Sequence, residues 1–306
     1  MKKILLSVVC LVIVGMQSVN AQVAIAALHQ AGKVTIFPAG ALQSAIDASV
    51  AGDTIYLSEG IFGGFAVEKP IKIIGAGQTT QISSAITLGS YGITIGEGLL
   101  LSGLNCLQYV DFNGRITGAR ISQCKIGGTC YFYNSDENNF DNIEIVTSQI
   151  NSIQLSSPVK GLAVVASKID GVSMGGNNDG SVTILNCNIN STTGSYPQNT
   201  YVNCIINSLG QGVYQNCLYK DDNYENVVYE CYQSADFTLD DDLNCSMTDE
   251  QLLAAGYVGQ DNTWVGIGGG EVKFSLVMPV VQVVEHTIGV NQQERKLNVT
   301  LKFGNK

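Results

Sequence analysis

The amino-acid sequence predicts an all-β protein whose main body is a right-handed parallel β-helix, a solenoid of stacked strand coils. Three observations predict this fold: the composition, the short length of the apolar runs between turn residues, and a phrase that repeats through the middle of the chain. Only 14% of the 306 residues are charged, and 34 are glycine. This composition is typical of many short strands joined by tight turns and not of long amphipathic helices.

The first residues predict an export signal. Lys2 and Lys3 precede an apolar run from Ile4 to Val14, and a polar stretch then ends at Ala21. This order matches a signal peptide, and the apolar run is shorter than the roughly 20 residues that a membrane span needs. We expect residues 1–21 to be removed and the protein to reach the periplasm, the cell surface or the medium, with no membrane span. A buried N-terminal helix is the alternative.

The start of the predicted solenoid is marked by one helix and one strand. Apolar residues between Leu42 and Val50 recur at helical spacing, which predicts a short amphipathic helix. The pair Gly52-Asp53 ends it, and the strand Thr54–Leu57 follows. A solenoid must cover both ends of its core, so this helix is the expected N-terminal cap.

This segment carries a resemblance to a known superfamily. Residues 42–77, LQSAIDASVAGDTIYLSEGIFGGFAVEKPIKIIGAG, are similar to the N-terminal cap and first coil of pectin-lyase-like proteins. The shared features are the Ala-Ile pair, Gly-Asp-Thr-Ile, a Gly-aromatic turn, and a Lys-Pro-Ile strand that ends in Gly-x-Gly. The resemblance implies the β-helix fold. It implies no single activity, because lyases, hydrolases and adhesins share this beginning.

A repeated phrase gives the length of the coils. It ends in an isoleucine each time, at spacings of 17 to 24 residues: Ile126, Ile150, Ile169, Ile189 and Ile206. This period is shorter than that of helical repeats, and the chain lacks the leucine ladder of leucine-rich repeats. Coils of about 20 residues, stacked at strand spacing, therefore remain as the interpretation.

Cysteines occupy one register of the repeat. The aligned positions are Cys124, Ser148, Ser167, Cys187, Cys204 and Cys217. Because serine alternates with cysteine, we expect a column of small buried side chains and not a set of required disulfides. Export still permits disulfides, and Cys231 with Cys245 is the pair that could close a loop.

The pattern changes after Gly270. Residues 22–270 form the predicted solenoid, and residues 271–306 contain an apolar run, Val280–Val284, and an alternating run, Lys296–Phe303. We predict a β-hairpin appendage that covers or extends the C-terminal end of the solenoid. A module that binds a partner protein is the alternative.

The charge balance argues against one class of partner. There are 16 basic and 26 acidic residues, for a formal net charge of −10. Nucleic-acid affinity depends on clustered Lys and Arg side chains, so we do not expect nucleic acid as a partner.

An acidic segment is the first candidate site. Residues 221–250 hold ten carboxylates and no basic residue. Oxygen-rich clusters suit calcium, although a solvated acidic loop is the simpler interpretation. The resemblance adds a lyase hypothesis, in which calcium is held by Asp221, Asp222 and Glu225 and Lys220 is the base. No complete catalytic motif of the superfamily is present, so catalysis is left open.

Tyrosines crowd the same region and predict a sugar-binding surface. The candidates are Tyr214, Tyr219, Tyr224 and Tyr229. A tyrosine ring can pack on a sugar while its hydroxyl bonds at the edge. The sequence thus predicts a secreted protein that binds a polysaccharide or has a structural role. A calcium-assisted lyase for an acidic polysaccharide and a surface interaction protein that uses the hairpin are the alternatives, and the oligomeric state is left open.

Overall fold

The computed structural model describes residues 24–133, 139–156, 159–174, 182–222, 226–278, 281–291 and 296–305. The predicted signal peptide lies outside these ranges. Within them, most of the chain forms short strands that pair in parallel with strands one coil before and one coil after. The predicted parallel β-solenoid is confirmed. None of the helices in this described part is long and apolar enough to cross a membrane.

The elements of the first half are short. In chain order they are β1 (Ile25–Gln30), β2 (Lys33–Pro38), a 3-10 turn (Ala39–Ala41), α1 (Leu42–Ala48), β3 (Thr54–Leu57), β4 (Gly60–Phe62), β5 (Phe65–Val67), β6 (Lys72–Ile74), β7 (Thr80–Ile82), β8 (Ile86–Leu88), β9 (Thr94–Ile95), β10 (Leu100–Ser102), β11 (Asn105–Cys106), β12 (Val110–Phe112), β13 (Arg115–Thr117), β14 (Arg120–Ser122) and β15 (Lys125–Phe132).

The second half continues the coils and ends in a hairpin. Its elements are β16 (Asn139–Asp141), β17 (Glu144–Val146), β18 (Gln149–Leu155), β19 (Val159–Lys160), β20 (Leu162–Val165), β21 (Lys168–Met174), β22 (Val182–Leu185), β23 (Asn188–Val202), β24 (Ile205–Leu209), β25 (Gln211–Gln215), β26 (Leu218–Asp222), β27 (Val227–Tyr229), β28 (Tyr232–Gln233), α2 (Asp249–Ala254), β29 (Val281–Asn291) and β30 (Lys296–Asn305).

The coils form two long faces and one short face. Face A stacks β3, β6, β10, β14, β17, β20, β22, β25 and β27, with the end of β23 between β22 and β25. Face B stacks β4, β7, β11, β15, β18, β21, β23, β24, β26 and β28. Face C is the short sheet of β9, β13, β16 and β19.

The repeated isoleucines stack on one another in the interior of face B. Ile126, Ile150, Ile169, Ile189 and Ile206 are in register from coil to coil, and all five are buried. Because side chains alternate along a strand, the residues on either side of each isoleucine point outward. No coil buries its isoleucine alone, so the stability of each coil depends on its neighbours.

The predicted N-terminal cap is confirmed, with an addition that the sequence did not reveal. Leu42, Ala45 and Ile46 of α1 are buried against the first coils. The Gln43 side chain both donates to and accepts from the backbone of Ala66. Strand β1 also pairs antiparallel with β3, so a β1–β2 hairpin closes the open edge of face A.

A single residue in the left-handed conformation turns the chain from face A to face B. It occurs in successive coils at Gln123, Thr147, Ala166, Asn186, Asn203, Asn216 and Glu230, with φ between 47° and 53°. Asparagine tolerates this conformation better than most residues, which accounts for its recurrence here. The residue that follows the turn is the cysteine or serine of the repeated register.

These cysteines and serines form a continuous ladder of hydrogen bonds along the corner. The Ser148 hydroxyl donates to Val146 O at 2.9 Å and accepts from the backbone N–H of Cys124 at 3.3 Å. In the next coil the Ser167 hydroxyl accepts from Ser148 N at 3.1 Å. Thiols repeat the arrangement, as when Cys187 Sγ accepts from Ser167 N at 3.4 Å. We call this column the corner ladder. The predicted column of small buried side chains is confirmed.

The disulfide that export would permit between Cys231 and Cys245 is not formed in the structure. Cys231 and Cys245 are both free thiols, as are the other six cysteines in the described ranges. Cys231 instead ends the corner ladder, where its sulfur accepts from Cys217 N at 3.4 Å. The position of Cys231 is therefore explained by ladder geometry, and Cys245 lies on a separate loop.

After the last coil the chain returns along the outside of the solenoid. Gly266 N donates to Asn203 O at 2.7 Å, and farther along Gln123 Nε2 donates to Val277 O at 2.9 Å. Ser102, earlier still in the chain, contacts Met278. Residues 256–278, the return segment, thus contact successive corners toward the N-terminal end. The antiparallel β29–β30 hairpin follows; its role as a cover for the solenoid end stays a prediction.

We predict that the corner ladder requires a hydrogen-bonding side chain at every coil. Ser167→Ala removes the acceptor for the buried N–H of Ser148 and should lower the free energy of unfolding by about 1–3 kcal/mol. Ser167→Cys should lower it by less, because cysteine already serves this column. Urea denaturation measures both, with Thr183→Ala on the exposed surface as the control. An alanine variant as stable as wild type would contradict the role of the ladder.

We predict a loss of stability at alkaline pH that depends on the buried thiols. Burial raises the pKa of Cys124 from 9.0 to about 12. The contribution of the buried, protonated thiol to the free energy of unfolding is fully present below pH 9. It is lost as the pH rises toward 12, because the same thiol ionises at lower pH in the unfolded chain. Between pH 8 and 10.5 this thiol should remove about 1–2 kcal/mol of the free energy of unfolding. Cys124→Ser should show the smaller decline, whereas Thr183→Ala should follow wild type; equal declines in all three would count against this cause.

Candidate functional site

The predicted tyrosine surface is dispersed by the fold. Tyr214 lies in the interior of face A, stacked on Tyr201 with ring centroids 4.7 Å apart, and its hydroxyl donates to Gly210 O at 2.9 Å. Tyr219 faces inward and is 9% exposed, whereas Tyr229 is 55% exposed at the end of face A. Tyr224 lies outside the described residues. Of the candidates that can be placed, only Tyr229 offers an open ring.

The predicted calcium ligands do not converge where they can be placed. Asp221 is exposed, and Asp222 accepts from Asn226 Nδ2 at 2.7 Å. Consecutive residues of a strand point to opposite faces, which separates these two carboxylates. Glu225 lies outside the described residues. Within the described ranges, no three His, Cys, Asp or Glu side chains are grouped to hold a metal. Lys220 is half-buried on the same strand, β26.

A different part of the acidic segment forms an ordered loop. Residues 239–245, the acidic loop, are closed by an antiparallel bridge between Leu239 and Cys245. The Asp240 carboxylate accepts from the backbone N–H of Asp242 at 2.9 Å and of Asn244 at 2.8 Å. It also accepts from the Asn244 side chain at 2.9 Å, and these bonds lower the pKa of Asp240. Asp240 therefore holds the shape of the loop and stays ionised.

The acidic loop is fastened to face B by two outward-facing side chains. Lys168 Nζ donates to Asn244 Oδ1 at 2.5 Å, and Asn188 Nδ2 donates to Leu243 O at 2.9 Å. Both Lys168 and Asn188 are buried, although they stand on the outside of the solenoid wall. Burial lowers the pKa of Lys168, opposed by the charges of Asp240 and Asp242. The loop is thus fastened to the outside of the solenoid, with Leu243 buried and the three aspartates exposed.

A groove of about 510 Å³ runs between the acidic loop and face B. We call it the polar groove. One wall is the acidic loop, with Asp240, Asp241 and Asp242. The other wall includes Asn151, Asp170 and Asn190, polar residues that each follow one of the repeated isoleucines, one to a coil, and Asn207 continues this row beyond the groove. In this row Asn190 Nδ2 donates to Asp170 Oδ1 at 2.9 Å, and Asn207 Nδ2 donates to Asn190 Oδ1 at 3.2 Å.

The charge of the polar groove selects among ligands. Four aspartates line it, Asp170 with the three of the acidic loop, and Lys125 stands among them. A polyanion would meet net repulsion here, which is weakened only partly by salt. Carboxylates accept hydrogen bonds and amides both donate and accept, so this lining suits an uncharged ligand rich in hydroxyl groups.

A second cavity, of about 520 Å³, lies on the opposite side of the acidic loop. Trp264 and Phe274 line it, but a lysine of the chain covers each ring. Lys273 Nζ lies 4.7 Å from the Trp264 centroid, and Lys168 Nζ lies 4.8 Å from that of Phe274. The Lys168–Phe274 contact ties the return segment to the solenoid, and the Lys273–Trp264 contact lies within the return segment. The structural role of its aromatic rings makes this cavity the weaker candidate.

No family model, no curated protein and no solved structure matches this chain. The site must therefore be interpreted from its own geometry. Sequence analysis included Asp240–Asp242 in the acidic segment but missed Lys125, Asp170 and Asn190. A signal for the last two was present, because each directly follows one of the repeated isoleucines.

We predict that Asn244 holds the acidic loop in place. Asn244→Ala removes the partner of the buried Lys168 and the side-chain hydrogen bond to Asp240, and it keeps the backbone one. Amide hydrogen exchange should become at least about tenfold faster in residues 240–244, which corresponds to a loss of about 1.4 kcal/mol in local stability. Asn139→Ala, at an exposed strand start on face C, is the control. Unchanged exchange in the loop would contradict this role.

Proposed function

We propose that this chain is an exported β-solenoid protein that binds an uncharged, hydroxyl-rich polysaccharide in the polar groove. The observation that carries the proposal is the alignment of the acidic loop with the row Asn151, Asp170 and Asn190 across the groove. Successive coils place these side chains at strand spacing, about 4.8 Å apart. A linear polymer of sugars offers hydroxyl groups along its length and can meet such a row with repeated hydrogen bonds.

The rigidity of both walls supports binding. Asp240 is fixed by its bonds within the loop, and the loop is fixed by Lys168 and Asn188. Side chains that are ordered before the ligand arrives lose less conformational entropy on binding. The row on face B is likewise held by bonds from coil to coil, so the proposed site is preformed.

The family and the export belong to the same proposal. Residues 42–77 resemble the beginning of pectin-lyase-like proteins, and they form α1, the first coil from β3 to β5, and β6, which begins the second coil. This supports membership of that superfamily, and residues 1–21 support export. A lyase mechanism through Lys220 has weaker support, because Asp221 and Asp222 point to opposite faces of their strand. We therefore rank binding above catalysis.

The test is a panel of soluble polysaccharides with and without calcium, measured by calorimetry and by ultraviolet absorbance for unsaturated products. Xylan, glucomannan and β-glucan are the uncharged members, and polygalacturonate and alginate are the acidic ones. We expect an uncharged polymer to bind without product. Asp241→Asn and Asp170→Asn should each weaken the binding of that polymer about tenfold, since a hydrogen bond to a carboxylate contributes about 1.5 kcal/mol.

Matched variants separate the hypotheses. Asp236→Asn removes an exposed carboxylate that does not line the groove and should bind as wild type. Product that depends on calcium and disappears in Lys220→Ala would establish a lyase instead. Binding that is lost in Tyr229→Ala but kept in the groove variants would move the site to the end of face A. No binding across the panel would overturn the proposal and favour a role for the C-terminal hairpin.

A further inference from the structure

Three tyrosines cluster on the outer surface of two adjacent coils. The rings of Tyr109 and Tyr131 meet edge to face with centroids 6.1 Å apart, and Tyr131 stacks on Tyr133 at 5.6 Å. Tyr109 is 39% exposed and Tyr133 is 42% exposed. Aromatic rings of this size are normally buried or partnered, so a cluster of them at the surface is a candidate binding surface. We call these three residues the tyrosine cluster.

A carboxyl group lies under the tyrosine cluster. Asp111 of β12 is in register with Tyr131 of β15, and it is only 8% exposed. One carboxylate oxygen is hydrogen-bonded with the Tyr133 hydroxyl, whereas Oδ1 is buried with no hydrogen-bond partner in the described part of the chain. Burial raises the pKa of Asp111. A buried polar atom without a partner is rare, because it forfeits the free energy of a hydrogen bond.

The alternation of strand side chains explains this arrangement. Val110 and Phe112 point into the core on either side of Asp111, and Cys130 and Phe132 do the same on either side of Tyr131. Asp111 and Tyr131 must therefore both face outward, one coil apart. A carboxyl group beside an aromatic ring at neighbouring register positions does nothing for the solenoid core, so packing alone does not account for it.

The tyrosine cluster lies at the N-terminal end of the polar groove. Gly127 lines the groove, and the next residue, Gly128, donates to Gln108 O at 2.7 Å. Tyr109 directly follows Gln108 in the earlier coil. Along the other coil, Tyr131 is four residues after Gly127, about 13 Å of extended strand at most. Gly127 and Tyr131 belong to the same strand, β15, so a polymer of several sugar units that lies in the groove has the length to reach the cluster.

We propose that Tyr109, Tyr131 and Tyr133 form a sugar-stacking subsite that continues the polar groove, with Asp111 beneath it as the partner of the Tyr133 hydroxyl. This inference rests on the proposed function. The subsite takes a sugar unit with one apolar face, which packs on an exposed tyrosine ring, while a hydroxyl at the edge of the sugar bonds with a tyrosine hydroxyl. The ligand class is thereby narrowed to an uncharged linear glycan long enough to span both regions.

The test uses cellohexaose, xylohexaose and mannohexaose, three uncharged hexasaccharides, titrated by calorimetry. Tyr109→Ala should weaken binding about tenfold, whereas Tyr109→Phe keeps the ring and should stay within about threefold of wild type. Tyr56→Ala removes another exposed tyrosine, 46% exposed near the N-terminal edge, and should leave binding unchanged. Circular dichroism of each variant checks the fold, and Tyr133→Ala is the second variant if Tyr109→Ala does not fold.

The outcomes separate this inference from the proposed function. If Asp241→Asn weakens hexasaccharide binding and both Tyr109→Ala and Tyr133→Ala bind as wild type, the subsite is overturned and the groove stands. If Tyr109→Ala and Tyr133→Ala lose affinity while Asp241→Asn does not, the subsite stands and the groove is overturned as the main site. If wild type binds none of the three hexasaccharides, both are overturned.

Discussion

The corner between faces A and B is the constraint on which the rest of the structure depends. One left-handed residue reverses the chain there, and the next backbone N–H is left inside the wall without a partner from its own coil. The hydroxyl or thiol of the following coil accepts from it, as Ser148 does for Cys124 and Ser167 for Ser148. Each coil thus depends on the next, and the ladder fixes the register of every strand that leaves the corner.

The fixed register is also what builds the candidate site. With the isoleucines locked in the interior, the residues after them, among them Asp170 and Asn190, must align on the outer wall. The residues before them, Lys168 and Asn188, stand on that wall too, and the acidic loop buries both. A buried lysine is costly unless it has partners, so the docking of the loop and the hydrogen bond to Asn244 belong together. The groove follows from this docking.

Sequence reasoning succeeded where neighbours in space recur at a fixed period and failed where they do not. The helix at Leu42, the isoleucine columns and the small side chains at Ser148 and Ser167 were all predicted. The predicted tyrosine surface was wrong for Tyr214, because its position within the coil places its side chain in the interior. Proximity in sequence also misled for Asp221 and Asp222, since adjacent strand residues face opposite ways. The Cys231–Cys245 pair was inferred from export alone, and ladder geometry assigns Cys231 another role.

The sequence by itself determined the solenoid, its cap and the composition of its corners, because a repeat that must pair with copies of itself leaves a periodic pattern in the chain. Only the tertiary structure decided the path after the last coil. The bond from Lys168 to Asn244 joins residues 76 apart, and that from Gln123 to Val277 joins residues 154 apart. Such contacts occur once each and have no period. For this reason the docking of the acidic loop, which makes one wall of the polar groove, is a property of the folded chain alone.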